Sequence, residues 1–147
     1  MKILNKSILA LVLMFAMIIP AMAQFENMFT EENFTKQPPL SEKDGQAFIK
    51  SEKVYNYLAE MDPANAQSNA QADAYVKKEL GISLERYIFV VTKIAVCYTF
   101  IFESGVSGAD LETIFQGLPV YFRASAAEQA LLHKYKTQIE TVFNKIS

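Results

Sequence analysis

The sequence predicts an all-α fold, in which a small antiparallel bundle of four to five helices surrounds one central apolar helix. The stretch 87–102 reads YIFVVTKIAVCYTFIF and carries a single charged residue, Lys93. The segments on either side place apolar residues three and four positions apart, which is the spacing of amphipathic helices. The connections between these segments are short, and short connections favour antiparallel neighbours in a helical protein.

Residues 1–23 have the pattern of a secretory signal peptide. A basic start is followed by an apolar middle at 8–19 and by the small-residue motif Ala-Met-Ala at 21–23. We expect cleavage before Gln24 and a periplasmic or secreted product. An uncleaved membrane anchor is the alternative, although the apolar middle is shorter than the roughly 20 residues that a membrane span needs.

Removal of that segment makes the mature chain mildly acidic. The net charge changes from −2 to −4, because the segment contains two of the 14 basic residues and none of the 16 acids. Nucleic acids and anionic lipid surfaces are bound by basic patches. We therefore expect no nucleic acid as partner and no stable membrane insertion after signal cleavage.

Residues 24–39 predict an extended N-terminal arm or linker. The segment contains Phe25, Phe29 and Phe34 and ends in Pro38-Pro39, which excludes a helix there and favours an extended backbone. Two interpretations are open. The segment is either a flexible spacer or an arm whose phenylalanines dock into a groove, on this molecule or on a partner.

Residues 40–147 read as the helical-bundle domain. Ser41 with Asp44 forms a capping pattern that begins a first amphipathic helix, which we expect to end near Met61. The following stretch 64–74, ANAQSNAQADA, offers little apolar surface to bury. It predicts a solvated linker or weak helix that becomes a stable helix at Tyr75. A lid over a binding site is the alternative.

The central stretch is predicted to be a helix because its polar residues follow a helical period. Projected at about 100° per residue, four of them fall on one narrow stripe. They are Glu85, Thr92, Thr99 and Glu103. Ser83 is a suitable N-cap and Gly105 a suitable C-cap. Lys93 near the middle argues against a membrane span, so we expect a buried core helix.

Two further helices complete the predicted domain. Ser107 with Asp110 begins a short helix that ends before Gly117. Ser125 with Glu128 is a capping box that begins the last helix. One apolar stripe runs along that helix. It consists of Leu131, Leu132, Tyr135, Ile139, Val142, Phe143 and Ile146.

The residues that usually carry catalysis or bind metals are scarce. Cys97 is the only cysteine and lies on the apolar side of the central helix, where we expect a buried thiol with a raised pKa; an intermolecular disulfide or a redox thiol is the alternative. His133 is the only histidine and is expected on the solvated face of the last helix. We therefore predict no metal site, no cofactor and no nucleophilic catalytic pair.

Glu103-Ser104-Gly105 resembles the Glu-Ser pair that ends the catalytic helix of lysozyme-like lytic transglycosylases, which are also exported and helical. The resemblance covers these three residues. It implies that Glu103 is the acid that protonates a glycosidic oxygen, for which a raised pKa is suited. A peptidoglycan-cleaving enzyme built on Glu103 is therefore the alternative function.

The remaining feature is an apolar set beside the polar stripe of the central helix: Phe89, Val96 and Phe100. Other helices cover these residues, or they form an open partner surface. With an export signal and without a catalytic constellation, the sequence predicts a non-catalytic protein of the bacterial cell envelope. We expect it to bind a protein, peptide or small apolar ligand through this set or through the phenylalanine-bearing arm.

Overall fold

A computed structural model of the chain describes residues 25–62, 64–65 and 67–146, without the side chain of Glu26. The predicted signal peptide lies outside the described residues. Of the described residues, 75% are helical and none is in a strand, which confirms the all-α prediction. The antiparallel arrangement of the helices remains a prediction. No helix in the described part of the chain is both long and apolar enough to cross a bilayer.

The described residues form eight α-helices, two 3-10 turns and one π-helical segment. The α-helices are α1 Glu31–Thr35, α2 Glu42–Ile49, α3 Glu52–Ala59, α4 Ser68–Leu80, α5 Leu84–Tyr98, α6 Gly108–Gly117, α7 Ala126–Lys134 and α8 Lys136–Ile146. The 3-10 turns are Glu26–Met28 and Val120–Phe122, and the π-helical segment is Thr99–Glu103.

Helix α5 is the centre of the fold. It begins at Ser83, whose side chain accepts a hydrogen bond from the backbone N–H of Arg86, as the sequence predicts. Every residue from 87 to 98 is buried. The polar stripe expected on this helix is therefore not solvated at Thr92, whose hydroxyl donates to the Ile88 carbonyl inside the core. Helices α2 and α4 and the turn Val120–Phe122 contact α5 directly.

Two of the predicted long helices are each divided in two. The first breaks at Ser51, where both the backbone N–H and the hydroxyl donate to the Phe48 carbonyl and so tighten the chain into a 3-10 turn. The last breaks at Tyr135, whose ring hydroxyl is held by Glu42 and Gln46 of α2. These breaks raise the number of helices above the four to five predicted.

Helix α4 begins before the position that the sequence predicts. The stretch 64–74 was expected to be a linker or weak helix, but it is helical from Ser68 onward. Ala72 is fully buried, and the Ser68 hydroxyl donates to the carbonyls of Asp62 and Asn65. Helix α4 contacts α5, so tertiary packing stabilises the helical conformation despite the low apolar content of the stretch.

The N-terminal arm is docked and only partly extended. Its 3-10 turn and α1 interrupt the extended chain, and α1 is capped by Thr30, which accepts from the backbone N–H of Asn33. Phe25 is fully buried and Phe34 is 5% exposed. Of the two interpretations, docking onto this molecule is therefore the one that the structure shows.

Candidate binding surface

The surface predicted from Phe89, Val96 and Phe100 is mostly closed in the structure. Phe89 is 1% exposed and Val96 is fully buried, while Phe100 is half-buried. The physical reason at Phe89 is the arm, since the ring of Phe34 lies 5.7 Å from it, centroid to centroid. The prediction is corrected accordingly: of these three side chains, Phe100 is the one that reaches solvent.

Arg86 fastens the end of the arm to the central helix. Its guanidinium donates to both carboxylate oxygens of Asp44 and to the carbonyl oxygens of Pro38 (2.7 Å) and Pro39 (2.9 Å). It also lies 5.2 Å from the centroid of the Phe89 ring, a cation–π distance. The planar five-donor guanidinium is suited to holding several acceptors at once, so one side chain fixes the arm, α2 and α5 together.

A buried ion pair between Lys93 of α5 and Glu128 of α7 also stabilises the region where the arm ends. Lys93 Nζ lies 2.6 Å from Glu128 Oε2, and both side chains are 3% exposed. Glu128 also accepts from the backbone N–H of Leu40 and of Ser125, the latter completing the predicted capping box. The sequence shows the capping box but not the ion pair, because the two charges meet only through the tertiary fold.

The three residues considered for chemistry occupy different environments. Cys97 is fully buried, its thiol donates to the Phe122 carbonyl (3.4 Å), and burial raises its pKa to about 12; these observations confirm the predicted buried thiol. His133 is exposed, as predicted, and packs edge-on against Phe102. Glu103 is exposed at the end of the π-helical segment.

A different region leaves apolar side chains at the surface. Helix α6 buries only Phe115, and it contacts the π-helical segment, where the apolar side chains are also half-buried. The turn Val120–Phe122 follows, with Val120 73% exposed, and it contacts α1 of the arm. We call the incompletely buried apolar side chains of these elements and their adjoining loops the apolar face. Its residues are Met28, Phe29, Phe100, Ile101, Val106, Leu111, Ile114, Val120 and Tyr121.

The loop before α6 has an open backbone geometry. Gly105 and Gly108 both have a positive φ, +72° and +60°, and no atom lies within 4 Å of the position that a Cβ would take at either residue. Ser107 stands at the N-cap of α6 without a side-chain hydrogen bond to the helix, so the predicted capping pattern does not form there. Helix α6 is therefore joined to the core through few contacts at its N-terminal end.

The distribution of charge along the sequence is a signal that could have indicated this face. The chain from 94 to 122 has no lysine or arginine but has three acids and many aliphatic and aromatic residues.

Within the described residues, no group of three His, Cys, Asp or Glu side chains is placed to hold a metal ion. Comparison with family models, with curated proteins and with solved structures finds no significant match to this chain.

Proposed function

We propose that this chain is an exported, non-catalytic helical-bundle protein of the bacterial cell envelope, and that it binds a protein, peptide or small apolar ligand through the apolar face. The observation that carries this proposal is the face itself, with Val120 73% exposed and eight further apolar side chains half-buried on the arm, the π-helical segment, the loop that follows it, α6 and the turn Val120–Phe122. Contiguous apolar surface of this kind is uncommon on monomeric soluble proteins and is typical of binding sites.

The local structure of the face supports a binding role. A π-helical segment inside or at the end of an α-helix is frequently found at functional sites, because it displaces side chains from the regular helical positions. Here it presents Phe100 and Ile101 beside α6. Phe115 is the one buried side chain of helix α6, so the helix can adjust to a ligand with little loss of core packing.

The export part of the proposal is tested by the N-terminus of the mature protein. The full-length gene is expressed in a Gram-negative bacterium, the cells are fractionated, and the N-terminal residues are sequenced. We expect a periplasmic or secreted product that begins at Gln24. A cytoplasmic product that retains residues 1–23 would overturn the export proposal.

The binding part is tested by site-specific photo-crosslinking in the host cell. A photoreactive amino acid is introduced at Val120 or Ile114 on the apolar face, and at the exposed Lys53 or Glu60 as matched controls away from it. We expect a discrete adduct from the two positions on the face and none from the controls. Adducts that form equally at all four positions, or at none, would contradict the proposed surface.

The alternative built on Glu103 makes a separate prediction. A glycan-cleaving enzyme would clear peptidoglycan in a zymogram and lose that clearing in Glu103→Gln. We expect no clearing from the wild-type protein. Clearing that is lost in Glu103→Gln would replace the non-catalytic proposal.

A further inference from the structure

The acidic excess of the mature chain is concentrated on the apolar face. Residues 28–35 and 94–122, which supply the face, contain five acids and no lysine or arginine. The acids are Glu31, Glu32, Glu103, Asp110 and Glu112. The rest of the chain after residue 23 contains 11 acids and 12 basic residues. The molecule is therefore nearly neutral everywhere except here.

None of these five carboxylates has a basic partner within the described residues. Elsewhere, six acids of the described chain form ion pairs: Glu42, Asp44, Glu52, Asp73, Glu79 and Glu128. All five acids of the face are exposed, and none of them forms an ion pair within the described residues. The negative charge of this face is therefore not neutralised by ion pairs within the described residues.

The acids lie among the apolar side chains of the face. Asp110 and Glu112 flank Leu111 on α6, and Glu103 ends the π-helical segment that carries Phe100. At the arm, burial of the phenol and, second to it, the nearby charge of Glu31 raise the pKa of Tyr121. The pattern is thus an apolar strip with a negative rim.

From this pattern we infer that the apolar face binds a cationic amphipathic helix of a partner protein, with apolar residues against the strip and Lys or Arg against the rim. This inference rests on the proposed binding function and names its partner class. Helical segments of this kind present apolar anchors at positions i, i+3, i+4 and i+7. Opposite charge at the rim favours encounter and register, while like charge opposes the wrong partners. Anionic membranes and nucleic acids are disfavoured by the same five acids.

The test uses two synthetic helical peptides of about 18 residues, which is five helical turns. Both carry the same leucine stripe; one has lysine at the remaining positions and the other has glutamate. Binding to the mature protein is measured by fluorescence anisotropy of the labelled peptides. We expect the lysine peptide to bind and to lose at least about fivefold in affinity when ionic strength rises from about 0.01 to 0.15 M, because the Debye length falls from about 30 to 8 Å. The glutamate peptide should not bind.

Matched variants place the binding on this face. Asp110→Asn with Glu112→Gln is compared with Glu60→Gln with Glu140→Gln, which removes the same charge from exposed positions outside the face. Val120→Ser is compared with Met61→Ser, which changes a half-buried apolar residue outside the face. We expect the first member of each comparison to weaken binding at least about threefold and the second to leave it unchanged.

Each result decides between the inference and its rivals. Equal binding of both peptides, or equal effects of the two members of a comparison, overturns the inference. Salt-independent binding of the neutral dye Nile red that Val120→Ser abolishes, together with no peptide binding, assigns the face to a small apolar ligand instead. If crosslinking at Val120 and Ile114 succeeds while the lysine peptide fails to bind, the partner class is wrong and the proposed binding function stands. If both experiments fail, both proposals fail.

Discussion

Lys93 shows how much of a residue's environment depends on the tertiary fold. A helical projection places it beyond Phe89, Val96 and Phe100, away from the polar stripe, and gives it no partner; in the structure it is 3% exposed and paired with Glu128. The environments of Cys97 and His133 were predictable because each depends mainly on the apolar face of its own helix. A buried charge depends on a partner from another helix, and a single sequence does not show which acid that partner is.

Replacing Lys93 by methionine should be strongly destabilising. The substitution keeps the apolar stem but leaves the Glu128 carboxylate buried without its cation, which typically costs about 3–5 kcal/mol in the free energy of unfolding. Lys145→Met is the matched control, because its partner Glu52 and the lysine are both about half exposed, and such pairs contribute about 0–1 kcal/mol. Urea denaturation followed by circular dichroism measures both. Equal losses in the two variants would show that the buried pair has no special importance.

Asp44 makes stability depend on pH in the acid range. Burial by itself would raise the pKa of Asp44, but the hydrogen bond and charge of Arg86 and the hydrogen bonds of Ser41 outweigh it, so the pKa lies below the usual 3.8. A carboxyl whose pKa is lowered in the folded state stabilises the protein above the unfolded pKa and loses that contribution as the pH falls through the folded value.

The expected result follows for Asp44→Asn. The variant should be less stable by about 1–3 kcal/mol at neutral pH, because charge-assisted hydrogen bonds are lost. Its stability should also fall less steeply than that of the wild type as the pH drops below about 3.8. Glu60→Gln, at an exposed position, is the control. Parallel stability–pH curves for wild type and Asp44→Asn would contradict this account.

At the scale of elements, the sequence predicted where most helices begin but not where two of them break. The caps at Ser41, Ser83 and Ser125 form as predicted, because a cap depends on residues three positions apart. The break at Ser51 depends on a hydroxyl that turns back to the chain, and the break at Tyr135 depends on hydrogen bonds to α2. Local sequence patterns therefore show where a helix is capped, but they do not show where these two helices break.

Docking of the arm should contribute to the stability of the protein, mainly through Phe34. Phe34 packs against Phe89, Tyr121 and Phe122, with ring centroids 5.5 to 5.9 Å apart. Phe34→Ala leaves a cavity among these rings and should lower the free energy of unfolding by about 3–5 kcal/mol. Phe29→Ala, at a half-buried position of the same arm, should cost clearly less. Thermal or urea denaturation measures both, and equal costs would show that docking of the arm contributes little to stability.

At the scale of the whole molecule, the most buried region is the centre, and the excess negative charge is concentrated on the apolar face. The centre is α5, buried from 87 to 98 and fastened by the Arg86–Asp44 and Lys93–Glu128 pairs. On the apolar face, helix α6 buries one side chain and the five exposed carboxylates form no ion pair within the described residues. The all-α class and the central helix could be predicted from hydrophobic periodicity. The position of the face could not, since it depends on which side of the molecule the arm covers.

Hydrogen exchange of the backbone amides should show this uneven distribution directly. The residues of α5 from 87 to 98 are all buried, so we expect their amides to exchange only through global unfolding, with a protection that matches the free energy of unfolding. Helix α6 has one buried side chain, Phe115, and follows an open loop at Gly105 and Gly108, so the amides of α6 should exchange through local opening at a much lower free energy. Mass spectrometry of peptic fragments resolves the two helices. In the Lys93→Met variant the protection of α5 should fall with global stability while that of α6 stays the same. Protection of α6 equal to that of α5 in the wild type would mean that the apolar face is as rigid as the core, and the adjustable surface proposed for ligand binding would have to be given up.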